Sequence, residues 1–398
     1  MSGPLTGVRV IEMACIGPGP FAGMLLADLG ADVVRVDRPE GAGGDRPNAG
    51  SHLVLDRGRR SVAVDLKHPD GPGVVLGLAE RADVLIEGFR PWVMERLGLG
   101  PDAVAARNPR LVYGRMTGWG QDGPDAMRAG HDINYIALAG ALEPVAAPGG
   151  GPPVPPLNML GDFGGGGMLL VVGILSALLH ARASGQGQVV DAAIVEGTAL
   201  LTAMTHAMRA SGAWESPRGE NLFDGGAPFY GVYQCADGGW LSLGAIEPKF
   251  YADLVTGLGL AGELPAAAQQ DQDAWPGQRA LIAKTIAGRS RDEWVAAFAG
   301  LDACVAPVLR PDEVLEHPHL KERRVFAEEN GLTHPAPAPR LSLTPGARGT
   351  AAPLVGEHTE TVLADFGFNE SSVARLCQQG VVFQARSERN QGTRTQEQ

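Results

Sequence analysis

Apolar positions in the first half of the chain recur with two alternating periods, one suited to strands and one to helices. Residues 8–13 form a short apolar run that ends in the loop Gly17-Pro18-Gly19-Pro20. Residues 21–29 carry apolar side chains at helical spacing and stop at Gly30; Val33, Val34 and Val36 then open a second strand. Proline at a helix start and glycine past its end are the usual punctuation of a β-loop-α-β unit. Further strands are predicted at 61–66, 83–86 and 111–113, with a helix over 72–81. Strands alternating with helices predict the α/β class, a parallel sheet covered on both faces.

The pattern changes near residue 190. A strand at 189–191 leads into a predicted helix over 193–211 and a Gly/Pro-rich crossing over 216–228. Residues 230–235 and 240–243 flank Ala236-Asp237-Gly238-Gly239 and predict a hairpin. Helices at 249–257, 278–287 and 291–299 complete a smaller α+β domain, and a Pro-rich stretch leads to a short helix over 360–366. The expected organisation is a large domain over 1–192 with 320–370 returning to it, a linker over 193–227 and a small domain over 228–319. A polar tail over 384–398 lacks apolar periodicity and is predicted to be disordered. The longest apolar run, residues 168–181, falls short of the roughly 20 residues of a bilayer span and predicts a buried helix, with no membrane contact. No secretory signal pattern is read at the start, where a strand begins near Val8.

Charge and composition narrow the function. A formal net charge of −12 argues against a general nucleic-acid binder. An anionic small ligand stays possible because Arg57, Arg59, Arg60 and Lys67 cluster. That cluster reads equally as a solvated surface. Arg38, Lys67 and Arg90 each follow a predicted strand, where ligands of parallel sheets sit, and could converge on a phosphate-rich ligand. Cys15, Cys235, Cys304 and Cys377 lie far apart without a CxxC pair, which fits a reducing cytoplasm and free thiols. His317-x-His319 lacks a third ligand of matching context, so no metal is expected. The Gly17-x-Gly19 turn resembles a dinucleotide fingerprint, with Asp37 where a ribose-binding acid belongs. Gly23 comes one place late, however, and Pro18 and Pro20 interrupt the loop, so a tight strand-to-helix turn is the preferred reading.

Three side chains able to move a proton stand in sharply turning contexts: His131 in Gly130-His131-Asp132-Ile133-Asn134-Tyr135, Asp162 in Gly161-Asp162-Phe163-Gly164-Gly165, and Glu247 in Gly244-Ala245-Ile246-Glu247-Pro248. Each has a structural alternative. Asp162 could cap a helix starting among residues 164–167, and Glu247 could cap one starting at Lys249. Brought together, the three supply a base, an acid and an orienting group.

These residues, with Val36-Asp37-Arg38-Pro39, Asp65-Leu66-Lys67, Glu95-Arg96-Leu97-Gly98-Leu99-Gly100-Pro101, Thr117-Gly118-Trp119-Gly120-Gln121 and Asp224-Gly225-Gly226-Ala227-Pro228, resemble the type III CoA-transferase superfamily, and within it the α-methylacyl-CoA racemases. The resemblance runs from about residue 7 to residue 368. It implies an interlocked homodimer of subunits with a Rossmann-like large domain and a small domain, the active site lying between the large domain of one subunit and the small domain of the other. It implies that His131 and Asp162 are the proton-transfer pair and that Glu247 orients His131 from the partner subunit. CoA contacts are implied for Arg38, for Val64, Asp65, Leu66 and Lys67, for Gly88, Phe89 and Arg90, for Arg96, and for Gly130, Asp132, Ile133, Asn134 and Tyr135. The implied substrate is a 2-methylacyl-CoA, inverted through an enolate, with CoA arriving as part of the thioester and no further cofactor. Backbone N–H groups near Asp132 or residues 164–167 would hold the enolate oxygen, and surfaces near Met168 and residues 224–228 suggest an apolar wall for the acyl chain. The superfamily's transferases use an aspartate at the Asp162 position as a nucleophile and lack the histidine, so His131 favours racemase over transferase. The competing readings are a CoA-transferase with Asp162 as nucleophile, a nicotinamide-dependent dehydrogenase and a non-catalytic CoA-ester binding protein.

Overall fold

The computed structural model describes residues 3–39, 50, 52–145, 151–329 and 331–385. The chain forms two compact units, Met1–Ala139 with Leu157–Leu201 and Glu328–Gln398, and Gly140–Pro156 with Thr202–Ala327.

The first unit is built on six parallel strands: β1 (Arg9–Met13), β2 (Asp32–Asp37), β3 (Arg59–Val64), β4 (Val84–Glu87), β5 (Val112–Thr117) and β6 (Val189–Ala193). Their order is β3-β2-β1-β4-β5-β6, and each neighbouring pair is parallel. Alternation within the strands divides the core. Ile11, Val34, Val62 and Leu85 face one side, against the helices Gly71–Ala79, Thr359–Asp365 and Glu370–Gln378. Val10, Val33, Val84 and Val112 face the other, against Pro18–Asp28 and Leu169–Ser184. Both faces are therefore covered, as the near-continuous apolar strands require. Val382–Phe383 adds an antiparallel edge to β3, pairing Val382 with Val64.

Two expectations are corrected here. The clustered arginines are engaged in ion pairs, buried for Arg57 and Arg59 and partly exposed for Arg60, and form no phosphate site. Arg57 pairs with Asp28 at 2.5 Å, Arg59 with Glu12 at 3.0 Å, and Arg60 with Asp32 at 2.7 Å and Asp365 at 2.6 Å. Arg59 and Arg60, successive residues of β3, point to opposite faces, and Arg57 lies ahead of the strand, so each arginine meets its own acid. The apolar run at 168–181 is also part of a longer helix. A π-helix, Met159–Met168, continues into Leu169–Ser184, and the combined 26 residues are long and apolar enough, by length and composition, to cross a membrane. One stripe of it, Leu170, Ile174, Ala177, Leu178 and Ala181, is buried on the sheet; Val172 and Leu179 are exposed.

In the second unit the predicted hairpin is present as β7 (Tyr230–Gln234) and β8 (Trp240–Gly244), joined by an unpredicted third antiparallel strand, β9 (Val305–Val308). Pro307 hides β9 in the sequence, yet an edge strand tolerates proline. Phe229, Leu241, Tyr251, Leu254, Ile282 and Trp294 form the core. The single helix expected over 193–211 is two, Ile194–Leu201 and Ala203–Ala210, because Thr202 leaves helical geometry at ψ 1. Asp224 belongs to a tight turn, its carboxylate accepting from the Gly219 and Asn221 backbone N–H groups at 2.9 and 2.7 Å. Gln384 and Ala385 are hydrogen-bonded to Glu357 and Gly356; the rest of the tail expected to be disordered lies outside the described residues.

Replacing Arg59 by Ala would leave Glu12 buried without its partner. The expected cost is about 3–5 kcal/mol, read as a lower denaturant midpoint at unchanged slope.

Candidate active site

The carboxyl ends of β1, β4 and β5 open onto a cavity of about 520 Å³ in the first unit. After β1 the chain turns into the Pro18–Asp28 helix on one face of the sheet, while after β4 it leads to Met94, Leu99 and Val104 on the other. Adjacent strands whose connections part this way create the crevice in which α/β proteins bind ligands. The walls come from the loop Cys15 to Gly19, the segment Gly88 to Pro91, the end of β5 with Gly118 and Trp119, and a loop carrying Arg128, Gly130 and His131; Asn158 and Asp162 complete it.

His131 is the N-cap of the short helix Asp132–Leu138, and its extended backbone donates its N–H to Asn134 Oδ1 at 3.1 Å. The residue is exposed at the cavity. Tyr135, one turn on, fills the space that the side-chain-free Gly118 and Gly130 leave open; a Cβ on either would come within 2.1 and 2.7 Å of its ring. Its hydroxyl donates to the Gly130 carbonyl, and its ring meets Trp119 edge-on at 4.7 Å. The backbone just ahead of His131 is thereby held from two sides.

Asp162 lies inside the π-helix, so the expectation that it caps a following helix is corrected. Short π-helical stretches recur at functional sites because the extra residue per turn redirects a side chain. Residues 164–167, expected as a turn with free N–H groups, belong to the same helix, and Gly165 to Gly167 are buried away from the cavity. Their lack of side chains seats the helix: a Cβ on Gly165 would lie 2.6 Å from Thr198 Oγ1, and one on Gly167 2.7 Å from Phe21. Phe21 also stacks on Phe163 at 4.5 Å.

The Asp162 carboxyl is thus half-buried, with Asn158 Nδ2 donating to Oδ2 at 3.3 Å and Asp132 Oδ1 accepting from the Asp162 backbone N–H at 2.6 Å. Burial raises its pKa above the ordinary aspartate value; the Asn158 hydrogen bond opposes the rise, the Asp132 charge adds to it and His131 opposes it. A carboxyl so placed holds its proton to higher pH than a solvated one.

Of the other expected contacts, Gly88, Phe89, Arg90, Gly130 and Tyr135 line the cavity with His131 and Asp162. Arg38, Lys67 and Arg96 are exposed outside the cavity wall and make no ion pair among the described residues. Val64 is a core side chain of β3, and Asp65 accepts from the Lys67 N–H at 2.9 Å beside a half-buried Leu66. Asp132 is buried; Ile133 and Asn134 lie on the exposed side of their helix. Glu247 stands in the second unit as N-cap of the helix Pro248–Leu258, exposed and without a side-chain capping bond. Sequence reasoning passed over Asn158 and the role of Gly17. The four-residue step from Asn158 to Asp162 is the helical spacing that would have linked them.

Gly17 has φ +71, and a Cβ there would lie 3.1 Å from Asp162 Oδ2. Gly17→Ala is expected to cost roughly 1–2 kcal/mol from the left-handed backbone. It should lower turnover about tenfold or more by displacing the carboxyl. Parallel melting and rate measurements separate the two effects.

The model of CoA-transferase family III matches residues 5–359. The chain is 47% identical over 375 residues to the α-methylacyl-CoA racemase of Mus musculus, covering 94% of this chain and 96% of that protein. It is 46% identical over 376 residues to the α-methylacyl-CoA racemase of Homo sapiens, with the same coverage. Among solved structures, a CaiB/BaiF family protein from Brucella suis superposes with a TM-score of 0.79 at 26% identity, over 92% of this chain and all of that one. With the family model spanning most of its length, the chain belongs to CoA-transferase family III.

Proposed function

We propose that this protein is an α-methylacyl-CoA racemase, an isomerase that interconverts (2R)- and (2S)-2-methylacyl-CoA thioesters by moving the α-proton from one face of C2 to the other. The names of its mouse and human relatives support the activity. The observation that carries the mechanism is the meeting on one cavity of His131 and Asp162, whose pKa burial raises.

The chemistry follows from the thioester. Its carbonyl acidifies the α-hydrogen by delocalising the carbanion into an enolate, and inversion needs one group to take the proton and another to return it opposite. Histidine ordinarily titrates near neutrality and serves as base in one direction. Asp162, its pKa raised by burial, then serves as acid. The roles exchange for the other epimer. In our reading the enzyme works as a homodimer in which Glu247 of the partner subunit orients His131, as a third group does for other catalytic histidines. The CoA moiety leaves the cavity past Gly88 to Arg90, Gly130 and Tyr135 and follows the carboxyl edge of the sheet toward the exposed Arg38, Lys67 and Arg96. The four free cysteines suit a reducing, cytoplasmic setting.

The test is α-proton exchange: one epimer of a 2-methylacyl-CoA in deuterated water, without a carboxylate acceptor, with mass and chirality of the product read together. Deuterium at C2 with loss of stereochemical purity is expected; CoA transfer that appears only with an acceptor would overturn the reading. His131→Ala and Asp162→Ala should each lower the racemisation rate by about 10²–10⁴. Arg38→Ala should raise KM several-fold with kcat nearly unchanged, the signature of a contact made equally in ground and transition states.

A further inference from the structure

Asp132 follows His131 in the chain, and its side chain is not at the cavity wall where a CoA contact would lie. The residue is 6% exposed. Its Oδ1 accepts from the Asp162 backbone N–H at 2.6 Å, and its Oδ2 is buried without a hydrogen-bond partner among the described residues. Gly161 makes room for the carboxylate: a Cβ at that position would lie 2.4 Å from Oδ1 and 2.8 Å from Ile136.

We infer that Asp132 is a positioning residue for the proton transfer, its buried carboxylate tying the backbone of Asp162 to the residue next to His131 and so holding the two proton carriers in one geometry. No other hydrogen bond among those described joins the 131–138 segment to the π-helix, and Asp132 joins them at the two points that matter. A neutral side chain would satisfy the amide as well. The second, unpartnered oxygen gives the carboxylate a separate effect, because its charge stands near Asp162 and favours the protonated carboxyl there.

The groups facing Asp162 are few. Asn158 comes from its own helix, and His131, Asp132 and Tyr135 from the segment across the cavity. Cys15 and Arg90 come from the loops after β1 and β4. Glu196, on the packed helix Ile194–Leu201, is exposed. Asn158 and Asp132 act in opposite directions: the amide donor stabilises the charged carboxylate, while the Asp132 charge destabilises it. Removing each should therefore move the pH profile in opposite senses.

The inference rests on the racemase reading, and the experiment separates the two. Deuterium exchange into the 2-methylacyl-CoA epimer whose α-proton Asp162 removes, the direction in which Asp162 sets the acidic limb, is followed against pH for the wild type, Asp132→Asn, Asp132→Ala and Asn158→Ala. Asp132→Asn keeps an acceptor for the Asp162 amide and loses the charge, so the acidic limb should move to lower pH by about one unit with most of the maximal rate kept. Asp132→Ala loses the tether as well and should lower the maximal rate by about 10²-fold. Asn158→Ala should move the acidic limb upward. An unmoved limb in Asp132→Asn, or an unchanged maximal rate in Asp132→Ala, overturns the positioning role while leaving the racemase reading intact. No exchange by the wild type overturns that reading and, with it, the inference.

Discussion

The first wall of the site is anchored by a guanidinium that never sees solvent. Arg59 begins β3, and its side chain is wholly buried. It binds Glu12 of β1 at 3.0 Å through both Nε and Nη2, and reaches the carbonyls of Leu55 and of Pro20 in the first helix. Between Glu12 and Pro20 lies the loop whose Gly17 abuts the Asp162 carboxyl. The pair extends across the sheet. Glu12 sits opposite Arg35 of β2, and Arg35 opposite Ser61 of β3. Arg35 binds Asp37 at 2.9 Å and also Asp56, and Ser61 donates to Asp37 at 2.5 Å. Such a row is costly to desolvate and strong only when complete. Its contribution is registration more than net stability: it sets where the first loop leaves the sheet.

Asp162 sits at a balance of opposing influences. Burial beside Phe163 and the Gly17 turn favours the neutral acid, and Asp132 adds to that; Asn158 and His131 favour the ion. In the proposed mechanism Asp162 gives a proton in one direction and takes one in the other, and such a group cannot be driven to either extreme, since efficient transfer needs a pKa near the working pH. The two sides of the balance come from different segments. One is the π-helix itself, with Asn158 a turn before the carboxyl; the other is the helix start at His131 and Asp132.

Much of this was legible in the order of residues. The six strands of the large sheet, the hairpin and most of the helices follow from period, proline and glycine, because those features act locally. His131 and Asp162 drew attention through glycine-rich contexts, and both line one cavity, though the context of Asp162 is a helix and not a turn. What depends on distant partners was not. Arg57, Arg59 and Arg60 look like a basic patch until Asp28, Glu12, Asp32 and Asp365 arrive from other elements. Val382–Phe383 is too short to show a period, and it exists as a strand only because β3 offers an edge. The π-helix has no local signature either; four successive glycines read as a turn, and only the close approach of Pro18, Phe21 and Thr198 shows why they belong in a helix.

That approach has a mechanical consequence. Gly165 and Gly197 meet main chain to main chain; a Cβ on Gly197 would lie 1.9 Å from the Gly165 carbonyl oxygen. Elsewhere in a core, a changed volume is absorbed as side chains shift between rotamers. Where backbone meets backbone directly, as at Gly165 and Gly197, there is no such soft coordinate, and a displacement of one segment is passed to the other. The aim of Asp162 into the cavity is therefore tied to the position of the Ile194–Leu201 backbone, and any added side chain at Gly165 or Gly197 would have to move main chain.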